Sequence, residues 1–389
     1  MIYLDNASTT KIFDSVNKKI FELNTENYFN PSALYKEAIN VSKLIDEAKE
    51  ELAKNLGTST EHIIFTSGAT EANNLAIFGL STGKKDAEYI FSNGEHPSVF
   101  NVANALKMQN KIVKFVDLKN NGTIDEEKLA NEISSNTHML SVIHVSNETG
   151  AVNNIKSICS AVRKINPNII IHVDGTQAFG KIEVNVEDLG VDCYTISAHK
   201  FHGPKGVGAL YVKNMEKLKP ILFGGGQQKD KRSGTENVSG YIAMAMASTI
   251  AVNNLKSSYL QIKALRDYVK QEISINCNDY TFNECENNSP YILSISFKGI
   301  RGEVLLHMLE EQGVLIGIGS ACSSKKQSNR VLENMGVKKD FVLGSIRLSF
   351  SCFNTLNEIK IATDKLINQY KILKQNMSKW QYYKKIYFD

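Results

Sequence analysis

Three short runs of this chain carry residue types that could converge on one reactive ligand. The run YTISAHKFHGPKGVGALYV ends a strand in Ser197, Ala198, His199 and Lys200 and enters a turn with Gly203, Pro204, Gly206 and Gly208. A lysine between a strand end and a tight turn is placed to sit in a pocket, where partial desolvation lowers its pKa and makes its amine a nucleophile. In IIIHVDGTQAFGK, Asp174 stands at the carboxyl end of a buried strand, where ligands of open α/β sheets bind. A carboxylate there is costly without a partner. It is either a turn cap or a fixed negative charge facing a cationic ring nitrogen, and Gln177 could reach the same ligand. In IIFTSGATEANNLAIF a strand ends at Thr66, Ser67-Gly68-Ala69 turn, and a helix opens at Thr70. The exposed N–H groups and helix dipole of such a turn bind anions, though many turns of this kind only connect. Together the runs ask for a ligand with a phosphate, a ring nitrogen and an aldehyde, and pyridoxal 5'-phosphate has all three.

The elements needed to position these residues are legible. Strands are expected at His62–Thr66, Tyr89–Ser92, Met139–Val145, Ile169–Asp174, Cys193–Ser197 and Ala209–Val212. Several are apolar on both faces, as strands of a covered parallel sheet must be. Helices are expected between them, at Ala33–Leu56, Glu71–Leu80, Val99–Gln109, Asp125–Ser134 and Ile155–Ile165, with Ser32 capping the start of the first and Gly57 its end. This alternation implies an α/β domain with a mainly parallel sheet. A helical pattern from Thr235 to about Ile275 leads into a smaller α+β domain, with strands at Ile292–Phe297, Leu315–Ile318 and Ile346–Phe350. The large domain is placed at residues 15–257 and the small one at 1–14 and 258–389.

Length and composition narrow the classes. The 389 residues suffice for a core without disulfide or metal staples, and net charge is +4. Scattered basic residues argue against a nucleic-acid binder. No apolar run approaches a membrane span, no export signal is read at the start, and no metal-ligand spacing occurs among the six cysteines. A cytoplasmic protein with free thiols is expected. The basic aromatic tail KWQYYKKIYFD is read as packing on the body or as a partner-binding segment.

The chain resembles the cysteine desulfurases of the class V aminotransferase family, with the fold type I architecture of pyridoxal-phosphate enzymes. YLDNAST, NPSALY, TSGATEANN, EHPSV, VSNETGAV, HVDGTQAFGK, SAHKFHGPKGVGALYV, GGGQ, RSGTEN, GSACSS and SIRLS follow in the family's order over almost the whole length. The resemblance implies that Lys200 forms the Schiff base and acts as general base, and that Asp174 keeps the pyridine nitrogen protonated. Gln177 and Asn147 would hydrogen-bond the ring's phenolic oxygen. His96 would stack on the ring and shuttle protons. Ala69, Thr70, Ser197 and His199 would bind the phosphate, joined by Thr235 of a neighbouring subunit, which implies a homodimer with shared sites. Arg347 would clamp the substrate carboxylate, with Asn30 beside it. Cys322, in a run of small residues with Lys325 and Lys326 nearby to favour a thiolate, would take sulfur from L-cysteine as a persulfide, leave alanine, and pass the sulfur to an acceptor for iron–sulfur clusters or tRNA thiolation. Selenocysteine lyase, cysteine sulfinate desulfinase and a non-catalytic sulfur relay remain alternatives on the same fold.

Three departures stand out. The family usually has Lys-Ala after the ring-stacking histidine, where this chain has Pro97-Ser98. The run after Cys322 reads SSKKQSNRVL, shorter than usual and without the family's proline and histidine. GGGQQKDK before RSGTEN lacks the usual Glu-Arg-Gly.

Overall fold

The computed structural model describes residues 1–318 and 330–387. Its strands are β1 (Ile2–Leu4), β2 (Ile63–Thr66), β3 (Glu88–Ser92), β4 (Ile112–Val116), β5 (Thr137–Ile143), β6 (Ile170–Asp174), β7 (Cys193–Ser197), β8 (Gly208–Val212), β9 (Tyr280–Phe282), β10 (Ile292–Phe297), β11 (Val314–Ile316) and β12 (Ser345–Ser349). Seven of them form the central sheet in the order β2-β8-β7-β6-β5-β3-β4. All its pairings are parallel except those of β8, which runs antiparallel to both β2 and β7. This is the α/β class expected from the alternation of elements.

Alternate residues of these strands serve two apolar layers, as a pleated sheet covered on both faces requires. Ile63, Phe65, Leu140, Val142, Tyr194 and Ile196 pack into one cluster with residues of helices Lys36–Leu56, Ile155–Ile165 and Val238–Asn253. Ile64, Met139, Cys193 and Leu210 face the other way, against helices Ala69–Gly79 and Pro97–Met108. A separate cluster joins Ile2, Leu4 and Ala7 to side chains between Ile262 and Tyr370, around the antiparallel sheet β12-β10-β9 and the pair β1-β11. The first residues of the chain are thereby carried to the carboxyl edge of the large sheet: Thr10 N–H donates to the His199 carbonyl at 2.9 Å.

The structure corrects several boundaries. β4 was not anticipated; it lies at the sheet edge, its residues exposed or half-buried apart from Val116, and Lys114 interrupts its apolar run. The helix expected from Ala33 begins at Lys36, with Tyr35 and not Ser32 at its N-cap. Leu34, counted as its first core residue, is 95% exposed, and Ser32 N–H donates instead to Asn30 Oδ1 in a turn. Gly57 does end this helix, in a left-handed conformation at φ 72°. The helical stretch expected across Thr235–Ile275 is two helices, Val238–Asn253 and Leu255–Asn276, broken at Asn254. The last helix runs Leu356–Tyr387. Among the described residues, no helix is long and apolar enough to cross a membrane.

Candidate active site

The carboxyl ends of β2, β5, β6 and β7 open on one cleft of about 640 Å³. Its lining includes Ala69, Thr70, His96, Asn147, Asp174, Gln177, Ser197, His199, Lys200 and Arg347, so ten of the thirteen residues singled out from the sequence meet at one place. Asn30 and Thr235 do not line it; both are exposed. Cys322, with Lys325 and Lys326, lies outside the described residues.

Lys200 follows β7 in a single helical turn, Ala198–Lys200, and its Nζ donates to the carbonyls of Ala7 and Ser8 at 2.6 and 2.7 Å. Desolvation first, then the Arg347 guanidinium, push its pKa down to about 8, against the pull of Asp174 and Asp5. Asp174 is 2% exposed. Its Oδ1 accepts the Thr176 N–H at 3.0 Å and its Oδ2 the Asn73 amide at 2.9 Å.

On the other side of the cleft, the helix Ala69–Gly79 opens with no side-chain cap on its first N–H groups. Gly68 sits at φ 150°, and a Cβ on Gly208 would lie only 2.7 Å from Gly68 Cα. Two glycines therefore let the turns touch and leave the helix start bare toward the cleft. Ser197, His199 and Lys205 stand around it. His199 pairs through Nδ1 with Thr9 Oγ1 at 3.1 Å, and burial followed by Lys200 lowers its pKa to about 4, so it is neutral near pH 7. The Thr176 hydroxyl, also lining the cleft, is buried without a partner. An uncapped helix start, an orphaned hydroxyl and a buried carboxylate at one cleft fit a ligand carrying both an anion and a cationic ring atom.

Arg347, on β12, reaches in from the small antiparallel sheet. Its guanidinium donates to Asn147 O at 2.8 Å, Asp5 Oδ1 at 2.7 Å and Ser8 Oγ at 2.8 Å, while Nε is buried and unpaired. A Cβ at Gly317 would come within 3.1 Å of that Nε, so the missing side chain preserves the approach to it.

The sequence reading missed the residues that hold these groups. Gln177 donates to Ala7 O at 2.8 Å and its Oε1 accepts from Lys181 Nζ at 2.6 Å, which turns the amide nitrogen of Gln177 away from Lys181. Lys181 itself is 5% exposed, and burial, then Lys200 and Arg347, bring its pKa down to about 7. An unfolded lysine keeps its proton to about pH 10. Between pH 7 and 10 the unfolded chain thus holds a proton that the folded chain does not, and this group makes stability rise with pH across that window. Lys181→Met should raise the melting midpoint at pH 7 and flatten its rise toward pH 10 in scanning calorimetry; a lower midpoint would show that the Gln177 contact outweighs the cost of burial.

The class V aminotransferase family model matches residues 2–361. The chain belongs to the class V aminotransferases. It is 34% identical to a protein named cysteine desulfurase IscS from Dictyoglomus turgidum, over 99% of both chains. A solved NifS-like protein superposes with a TM-score of 0.91 at 31% identity, covering 96% of this chain and all of the other. A structure of SspA in complex with cysteine matches with a TM-score of 0.79 at 29% identity, over 91% of this chain and 100% of that one. Class V aminotransferases work with pyridoxal phosphate, the group for which the cleft's donors and acceptors are suited.

Proposed function

We propose that this class V aminotransferase is a pyridoxal-phosphate-dependent cysteine desulfurase, converting L-cysteine to L-alanine and passing the sulfur, through a persulfide on Cys322, to an acceptor protein for iron–sulfur clusters or tRNA thiolation. The observation that carries this reading is the meeting of Lys200, Asp174 and Arg347 in one cleft.

The helix start at Ala69 and Thr70, with Ser197 and His199, would hold the cofactor's phosphate. Asp174 would face its ring nitrogen, Gln177 and Asn147 its phenolic oxygen, and His96 its ring face. When bound, pyridoxal phosphate supplies an aldehyde for Schiff-base chemistry and a ring that withdraws electrons from the substrate's α-carbon. Lys200 would hold that aldehyde and take the α-proton, a task suited to an amine titrating near neutral pH. The unpaired Nε of Arg347 is left to grip the substrate carboxylate. The Cys322 thiolate attacks the substrate sulfur: an S–S bond forms, the Cβ–S bond breaks, and its electron pair goes to the carbon that becomes alanine's methyl group.

Four of the five other cysteines are disfavoured by their surroundings. Burial pushes Cys159 and Cys277 up to about 11 and raises Cys193 and Cys352 as well, the reverse of what a nucleophilic thiol needs. Exposed Asn30 and Thr235 support a homodimer in which Thr235 of the partner subunit completes the phosphate site and Asn30 comes to the substrate. The segments carrying them also expose Leu34 (95%) and Phe223 (85%), apolar surface suited to burial against a second copy. The reducing compartment that free thiols require agrees with a cytoplasmic protein.

Mass spectrometry after incubation with L-cysteine tests the reading. One extra sulfur should appear on the peptide carrying Cys322 and be absent from Cys322→Ala. Sulfur on Cys352 instead would reassign the acceptor thiol, and alanine formation with no protein-bound sulfur would point to a lyase.

A further inference from the structure

A chain of hydrogen bonds runs from Asp174 to His96, and its proton order can be worked out from one end. Taken as a carboxylate, which its place opposite a ring nitrogen in the proposed function requires, Asp174 can only accept. Asn73 must then turn its amide nitrogen toward Asp174 Oδ2, 2.9 Å away. The same Nδ2 lies 2.9 Å from Ser98 Oγ, so its two hydrogens go to Asp174 and Ser98. Asn73 Oδ1 is left to accept from His172 Nε2 at 3.1 Å, the Thr195 hydroxyl lies 3.3 Å from the same Nε2, and His172 Nδ1 accepts from Ser141 Oγ at 2.9 Å.

The Ser98 hydroxyl, accepting from Asn73, has one hydrogen, and His96 Nδ1 lies 2.9 Å away to take it. The Ser98 backbone N–H is directed at the same nitrogen, at 3.2 Å. Two donors on Nδ1 leave it no room for a hydrogen. A neutral His96 must carry its hydrogen on Nε2, which makes no hydrogen bond among the described residues. The charged groups around the ring are Asp174 on β6, Lys200 after β7 and Arg330 at the start of helix Arg330–Asn334. Desolvation in the cleft outweighs the pull of Asp174, and with Lys200 and Arg330 it keeps the ring neutral.

We infer that Ser98 is a positioning residue which, through Asn73, ties His96 to Asp174 and fixes it as an Nε2–H imidazole, so that His96 presents a hydrogen-bond donor to the cleft. An alanine at position 98, as in the family's usual Lys-Ala, would keep the backbone N–H and lose the hydroxyl that links the two ends. The wiring gives this chain a use for the departure noted in its sequence.

Long-range proton–nitrogen correlation spectra of full-length protein labelled with [15N]histidine, recorded from pH 5.5 to 8.5, test this directly, with His96→Gln identifying the His96 signals. The wild type should show His96 as the Nε2–H tautomer. Ser98→Ala should raise the pH of half-protonation by about half to one unit, the size of one neutral hydrogen bond. Ser98→Thr, which keeps the hydroxyl, should titrate as wild type. An Nδ1–H tautomer in the wild type overturns the inference without any variant, and so does Ser98→Ala titrating where the wild type does. Alanine formation alongside an Nδ1–H tautomer removes the wiring and leaves the desulfurase reading. The expected tautomer in protein that makes no alanine removes the desulfurase reading and supports the wiring.

Discussion

Lys200→Ala is expected to give protein without the yellow colour of a bound Schiff base and to lower alanine formation by about 10⁴-fold or more, since the anchor and the base are lost together. The local geometry explains why no neighbour substitutes. As a neutral amine, Lys200 has two hydrogens and one lone pair. The two hydrogens are taken by the Ala7 and Ser8 carbonyls, so the lone pair is the part left to face the cleft. Lys181 is also driven toward neutrality, but its Nζ is held against Gln177, and Lys205 stands with the anion-binding turn. A pH signature accompanies the loss. With a Lys200 pKa of about 8, the attacking amine is scarce below that pH. The rate at which cofactor-free protein takes up pyridoxal phosphate should therefore rise about tenfold per pH unit up to roughly pH 8 and then level off. Stopped-flow absorbance checks this. A rate independent of pH between 6 and 9 would show that another step or another amine controls capture.

What the sequence made visible, and what it did not, divides along a physical line. Asp174, Lys200 and the Ser67–Ala69 turn were readable because each sits at the end of an apolar strand, and strand ends on one sheet edge converge whatever the rest of the chain does. The carbonyls of Ala7 and Ser8 were not readable as ligands of Lys200, because a main-chain acceptor leaves no trace in side-chain identity. Asn73 gave no signal either. It belongs to the helix that opens at the anion turn, and its partners come from two other places in the chain, Ser98 in helix Pro97–Met108 and His172 with Asp174 on β6. The break at Asn254 was invisible for a different reason: both flanks favour helix, and only the change of partner from the large sheet's helices to the second apolar cluster makes the chain turn there. Edge strand β4 escaped because an edge needs only one covered face, so its pattern is diluted by Lys114.

Asp174→Asn is expected to retain cofactor while losing about 10³-fold in kcat/KM, the scale on which a single preorganised electrostatic partner contributes. The substitution is nearly isosteric, and the end of the cleft proposed to hold the phosphate, at Ala69, Thr70 and Ser197, lies on other elements, so binding should survive. What is removed is the charge. At 2% exposure, Asp174 acts where water screens poorly, and a neutral amide there would not keep the ring nitrogen of the proposed cofactor protonated. The amide also disturbs its neighbours. Asn73 now meets a side chain that can donate as well as accept, so the hydrogen that Asn73 gives to Ser98 is no longer dictated, and the order reaching His96 relaxes. Asp174→Glu should not rescue activity, because the added methylene has no space between the Thr176 N–H and the Asn73 amide that grip the carboxylate at 3.0 and 2.9 Å. Cofactor content by absorbance and alanine formation by chromatography separate the two effects. If Asp174→Asn keeps its turnover within tenfold of wild type, Asp174 is a structural acid at a strand end, and the cleft's chemistry has to be assigned to a different partner for the ring.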